Sequence, residues 1–182
     1  MSSRVLNNVS DLFFAIGDAI HSAGFGVSVS NYDEFGGEIG DAEVLIELER
    51  TGPAVKLADG RYVHNVSVTL HGVVARWRKY ASLEAMNLAT ALERLVDLNR
   101  WGLPGRQCDL PEGMHCGPSI FQQGKGGYEA WGCSFTQRLA IGPDLTPADP
   151  VIGGLPSVAW KVRDEGDQTD LDDPDQFKKL EV

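Results

Sequence analysis

No apolar run approaches the about eighteen residues needed to cross a bilayer, and the first residues lack the basic stretch, apolar core and small-residue cleavage site of a secretory leader. A soluble, non-secreted protein with no membrane partner is expected. Cysteine is scarce. Cys108, Cys116 and Cys133 make an odd count without a secretion signal, so free thiols are expected in place of a disulfide framework. Basic charge is also in deficit, with 16 Lys and Arg against 26 Asp and Glu and a formal net charge of -10. A protein that reads nucleic-acid sequence carries a sustained basic face, and this chain has none. A pore through which DNA slides stays open, because there a grip on phosphates is a disadvantage.

Catalytic patterns are missing as well. Cys108, His115, Cys116 and Cys133 are the one candidate metal cluster, but they lack the paired clasp spacing with which neighbouring residues grip a tetrahedral ion. Cys and His adjacent in sequence rarely meet as a nucleophile and its base. His64 and His71 fall on one predicted strand at positions of opposite parity, which sends them to opposite faces. Gly124 to Gly127, with Lys125, is rich in glycine but lacks the rest of a phosphate-binding loop and opens a strand instead of a helix. Glu43, Glu47 and Glu49 form a solvated row with no second group to suggest general acid and base roles. The chain is read as no enzyme, with no cofactor and no metal.

What is present is material for one domain: 182 residues, 42% of them hydrophobic. Val5, Val9, Leu12, Phe13, Ile16 and Ile20 recur at spacings of three and four, with Ser2 or Ser3 to cap and Gly24 to stop a first helix. Phe25, Val27 and Val29 make a short strand, and residues 31–40 a loop. Val44, Ile46 and Leu48 alternate with glutamates in a half-buried strand. Val55 and Leu57 lead through Asp59-Gly60, a turn pair that tolerates positive φ, into a long strand from Arg61 to about Arg76. Val66, Val68 and Leu70 point one way along it, and Asn65, Ser67, Thr69 and His71 the other. Ser82 is placed to cap a second helix with the stripe Ala85, Leu88, Leu92, Leu95 and Val96, ending at Gly102 and Pro104. From Gly102 to Gly127 seven glycines and three prolines predict a loop, with a short strand at Ser119 to Gln122. A last strand from about Gly127 to Ile141 places Trp131, Cys133, Phe135, Leu139 and Ile141 on one face. Trp101, Tyr128 and Trp131 are expected to pack over the second helix.

Beyond Gly142 the composition turns to proline and then aspartate, with five of nine prolines in residues 142–182 and, from Asp164, eight acids against two lysines. That leaves 18 acids and 14 bases for residues 1–163, so the folded part is only mildly acidic. The reading divides the chain into an α+β domain at 1–142 and an extended, flexible acidic region at 143–182, with local docking of Val158, Ala159 and Trp160. The expected fold is a mixed or antiparallel sheet of four to five strands with a long hairpin, packed by two amphipathic helices.

The order of elements, with His64-Asn65-Val66-Ser67-Val68-Thr69-Leu70, Leu92-Glu93-Arg94-Leu95-Val96 and Tyr128-Glu129-Ala130-Trp131 through Phe135-Thr136-Gln137-Arg138-Leu139, resembles the tail terminator and tail-completion proteins of long-tailed bacteriophages over residues 4–142. The resemblance implies a structural subunit that closes a homo-oligomeric, hexameric ring on the tail tube protein and meets the head-completion or neck protein on its other side. It implies DNA passing through the pore, and a place in the virion tail after assembly in the host cytoplasm. The long Gly102 to Gly127 segment and the acidic extension depart from that pattern. Independently of it, Arg76-Trp77-Arg78-Lys79-Tyr80 is the one basic and aromatic cluster, which reads as a solvated strand end, a base-stacking and phosphate-pairing patch or an anchor for a neighbouring subunit. The scarcity of basic charge elsewhere favours the subunit contact over nucleic acid. Arg76, Trp77, Arg78 and Tyr80, with Arg61 and Tyr62 at the hairpin, are the expected interface residues. The competing class is a small ligand-binding domain or enzyme with a site beneath the Gly102 to Gly127 loop.

Eight acids and few apolar residues cannot support burial, so deleting residues 164–182 is expected to leave the melting temperature nearly unchanged. A large drop on thermal denaturation would show that Leu171 or Phe177 is docked.

Overall fold

A computed structural model of the chain describes residues 5–122 and 126–142. The expected Ser2 or Ser3 cap, the Lys125 segment and the 143–182 extension with its Val158 to Trp160 docking site lie outside the described residues.

Five strands form one open, mixed sheet in the order β1-β2-β3-β5-β4. They are β1 (Ser28–Asn31), β2 (Ala42–Pro53), β3 (Val63–Ala75), β4 (Glu112–Gln122) and β5 (Tyr128–Ala140). β1 runs parallel to β2, and the other pairs are antiparallel. Two helices, α1 (Ser10–Ser22) and α2 (Ala81–Val96), lie on one face. The alternation read in β3 fixes that face: Val66, Val68 and Leu70 meet Leu12, Ile16, Ile20, Leu92 and Val96, joined by Val44 and Ile46 of β2 and Cys133 and Phe135 of β5. The α+β class, the two helices and the mixed sheet follow the pattern of apolar residues.

Several boundaries differ from the sequence reading. Helix α2 ends at Val96, short of Gly102, with Leu98 and Trp101 in left-handed conformations after it. Helix α1 begins at Ser10, well after Val5, because the Asp11 carboxylate accepts the amides of Asn7 and Asn8 (2.8 and 2.9 Å) and holds the preceding segment in a turn. The buried Gln107 amide clamps both backbone groups of Leu6, at 3.0 and 2.8 Å, so that Leu6 enters the core without being helical. Ser82 does not cap α2. The helix starts two residues earlier, after Tyr80, which takes the left-handed conformation (φ 67°) and offers no side-chain cap. Within Gly102 to Gly127 the short strand expected at Ser119 to Gln122 is present but starts earlier, at Glu112. β4 spans eleven residues but is an edge strand whose pairing slips between Glu112 and His115 and again between Pro118 and Phe121. Glycine and proline are tolerated at such edges and bulges, where a missing side chain or N–H costs little.

The hairpin also differs. β2 continues through Pro53, with a bulge between Leu48 and Arg50, and pairs with β3 along nearly its whole length. Val55 and Leu57 stand exposed in the connection instead of forming a strand. Asp59-Gly60 still turns the chain there, with Gly60 at φ 80°.

Tyr128 does not pack over α2. It lies on the opposite face, where Leu45, Val73 and Ala130 form a second small core under Tyr32, Phe35, Ile39 and Ile120. Trp101 and Trp131 do pack on the helical side, Trp101 stacking on Phe135 with ring centroids 5.9 Å apart.

Helix α2 sits tight on the sheet at Gly72, where an added Cβ would lie 2.9 Å from Leu88 Cγ and 3.0 Å from its Cδ2. Gly72→Ala is expected to destabilise the domain by about 1–3 kcal/mol through overpacking. In a Leu88→Ala background the penalty should largely disappear. Urea denaturation of the four variants measures the coupling, and an unchanged penalty would sink this account of the contact.

Candidate subunit interface

The six residues expected at an interface fall into two groups at opposite ends of β3. Arg61 and Tyr62 precede the strand, and Arg76, Trp77, Arg78 and Tyr80 follow it, so thirteen strand residues, roughly 40 Å, separate them. The structure does not bring them together.

Arg61 is 5% exposed and turned inward. Its guanidinium donates to Asp59 Oδ2, from Nε at 2.8 Å and from the terminal nitrogen at 2.5 Å, and to the Arg106 carbonyl at 2.9 Å. These bonds, with the Arg61 amide on Asp59 Oδ1, hold the Asp59 carboxyl below the usual carboxylate range. Arg61 therefore closes its own turn onto the residue 104–108 segment. Tyr62 stays half exposed, its ring 4.7 Å from that of His64.

The second group makes a fixed corner. Arg76 pairs with Glu129. Arg78 bridges Asp41 and Glu84, both at 2.6 Å, which raises its pKa further and ties the start of β2 to the first turn of α2. Trp77 Nε1 donates to the Gly40 carbonyl at 3.1 Å, leaving the indole 66% exposed. Tyr80, turned out by its left-handed backbone, is 64% exposed, and Leu83 one turn on is 55% exposed. The corner thus presents three large apolar side chains on a rigid frame. Leu83 escaped the sequence reading, although an apolar residue off the Ala85-Leu88-Leu92 stripe has no core to enter.

A polar line on the non-helical face was also missed. His71, 5% exposed, places Nε2 at 2.8 Å from Glu47 and Nδ1 at 3.0 Å from Ser119 Oγ, while the Tyr32 ring stacks on it at 4.9 Å. Thr69 beside it bonds Glu49 and, at 2.6 Å, Ser134. Both imidazole nitrogens are engaged within the domain and the ring face is covered, so the line ties β2, β3, β5 and β4 together across the sheet. The signal was the alternation of Thr69 and His71 with β3's apolar residues, where polar side chains replaced the expected water-facing row.

The four residues weighed as a metal cluster are divided. Cys116 faces Cys133 in the β4–β5 register, while His115, next along the strand, points to the other face. Cys108 is buried elsewhere and accepts from Gln137 Nε2 at 3.2 Å. Among the described residues no group of three or more His, Cys, Asp and Glu side chains is placed to hold a metal ion. Beneath the 105–109 segment lies an open cleft of about 460 Å³, lined by Arg61, Arg106, Arg138, Asp109 and the apolar Val63 and Ala140. This is where the ligand-binding alternative would be housed. No protein-family model and no curated protein matches the chain.

Burial pushes the Cys108 thiol up to about 12 and raises that of Cys133 as well. The folded chain then holds protons that the unfolded chain releases above about pH 9, so these groups stabilise fully below that pH and lose their contribution as pH climbs toward about 12. Melting temperature should fall over that interval. A thiol reagent at neutral pH should reach Cys108 and Cys133 only on unfolding, and fast labelling of either in the native state would contradict their burial.

Proposed function

We propose that the chain is a structural subunit of a phage tail assembly, a tail terminator that caps the tail tube as a homo-oligomeric ring and joins it to the head-completion complex. The observation that carries the reading is the corner of Trp77, Tyr80 and Leu83. Three large apolar side chains held in water by a Gly40 hydrogen bond and two ion pairs to Arg78 suit anchors awaiting a partner, since their order is set before binding. Supporting it is the element order: an N-terminal helix, a long antiparallel pair, a second helix and a terminal strand, as the resemblance implies. The mild acidity of residues 1–163 suits a channel that lets DNA pass without holding it. In this role the chain acts by shape and contact, with the tail tube protein and a neck protein as further partners.

Electron microscopy of a lysate from phage lacking a working copy is the test. Tails of uncontrolled length, or tails unable to join heads, are expected. Normal tails joined to filled heads would remove the assignment and favour a ligand in the cleft beneath residues 105–109.

A further inference from the structure

The exposed corner at the start of α2 has a counterpart elsewhere on the subunit. Helix α1 carries two adjacent phenylalanines, and adjacent residues on a helix cannot both face the core. Phe13 packs inward and Phe14 is 56% exposed, their rings edge to face at 5.5 Å. Together with Val29 of the edge strand β1 and Leu48 of β2 they line an open groove of about 630 Å³. Asp33 and Glu34 stand on its rim, both exposed and with no cationic partner among the described residues. At the corner, Lys79 lies over the Tyr80 ring at 4.9 Å and has no carboxylate partner among the described residues. One patch is a convex set of aromatic and aliphatic side chains beside a free cation. The other is an open groove whose apolar wall is shared with Ser10, Ser30 and Asn31, beside those unpaired anions.

We infer that the Trp77-Tyr80-Leu83 corner of one subunit seats in the Phe13-Phe14-Val29-Leu48 groove of a second copy of this chain, with Lys79 meeting Asp33 and Glu34. The inference deepens the ring reading above and names its contact. The two patches sit on different elements, the corner between β3 and α2 and the groove between α1 and β1, so the contact is heterologous: each copy offers one patch and receives the other. Repeated by a rotation that closes, such a contact gives a ring. Shape supplies the burial, and the charge pair sets which face of the corner enters, because a rim pair contributes orientation more than affinity.

The experiment uses the full chain and follows self-association by sedimentation velocity. Trp77→Ala and Phe14→Lys alter exposed positions, and circular dichroism checks that each variant folds. Each alone should weaken association about 30-fold or more, as loss of an anchor worth about 2 kcal/mol implies. Mixed one to one, the two variants retain a single competent pair, the corner of the Phe14→Lys chain and the groove of the Trp77→Ala chain, so they should form a heterodimer and nothing larger. Lys79→Glu should weaken the wild-type contact, and Asp33→Lys with Glu34→Lys in the same chain should restore it. A wild-type chain monomeric at its highest soluble concentration, single variants that associate like wild type, or a mixture that stays monomeric would each overturn the inference. The readout is independent of phage. Association with this pattern alongside normal tails in a mutant lysate would keep the contact and discard the tail reading, and defective tails with unaffected variants would do the reverse.

Discussion

Strand β3 has no free side. It is flanked by β2 and β5 along its length, and from Val68 to Ala75 every residue is buried. A central strand closed on both faces imposes two coverings. The helical covering is ordinary apolar packing, brought close by the missing side chain at Gly72, which lets Leu88 descend almost onto the backbone. The other covering cannot be purely apolar, because Thr69 and His71 sit in the middle of it. There the chain satisfies each polar atom with a neighbour, and the loop after β1 lays Tyr32, Phe35 and Ile39 over the result. A buried polar group costs little when fully bonded and a great deal when it is not, so these pairs specify register as much as they stabilise.

The same constraint explains the corner. Because α2 must begin immediately after β3 and lie flat against it, the chain reverses within residues 76–80, ending in a left-handed Tyr80. A bulky residue there is unfavourable on backbone grounds. Three ion pairs, Arg76 to Glu129 and Arg78 to Asp41 and Glu84, hold the reversal in place. The Tyr80 side chain is thus turned outward by backbone geometry, and Trp77 beside it is fixed by its bond to Gly40.

Much of this was legible in the residues. The Ala85 to Val96 stripe and the Val66-Val68-Leu70 alternation are strong periodic signals, and they place α2 and β3 closely. What was hidden depends on contacts distant in sequence. Only the Ser119 to Gln122 end of β4 was legible, because its pairing is irregular and the glycines and proline before it imitate a loop, although Cys116 and Gly117 pair regularly with Cys133 and Gly132. Leu6 is drawn into the core ahead of α1 by Gln107, more than a hundred residues away along the chain. Arg61 looked like an exposed cation next to a hairpin, but Asp59 and the Arg106 carbonyl draw it inside. Of the interface candidates, Trp77 and Tyr80 lie exposed at the corner because they fall at a chain reversal where no stripe claims them. Leu83 and Phe14, their natural companions, needed three dimensions to see.

The two rims of the sheet are unequal. β1 offers only four residues, and β4, though long, is broken by two slips and interrupted by Pro118, which has no N–H to give. Neither provides the straight, evenly spaced ladder on which an unrelated strand can template itself. The domain is thereby defended against cross-β aggregation through its sheet edges. Any association it undergoes must then be chosen by side chains, which discriminate among partners as bare backbone cannot.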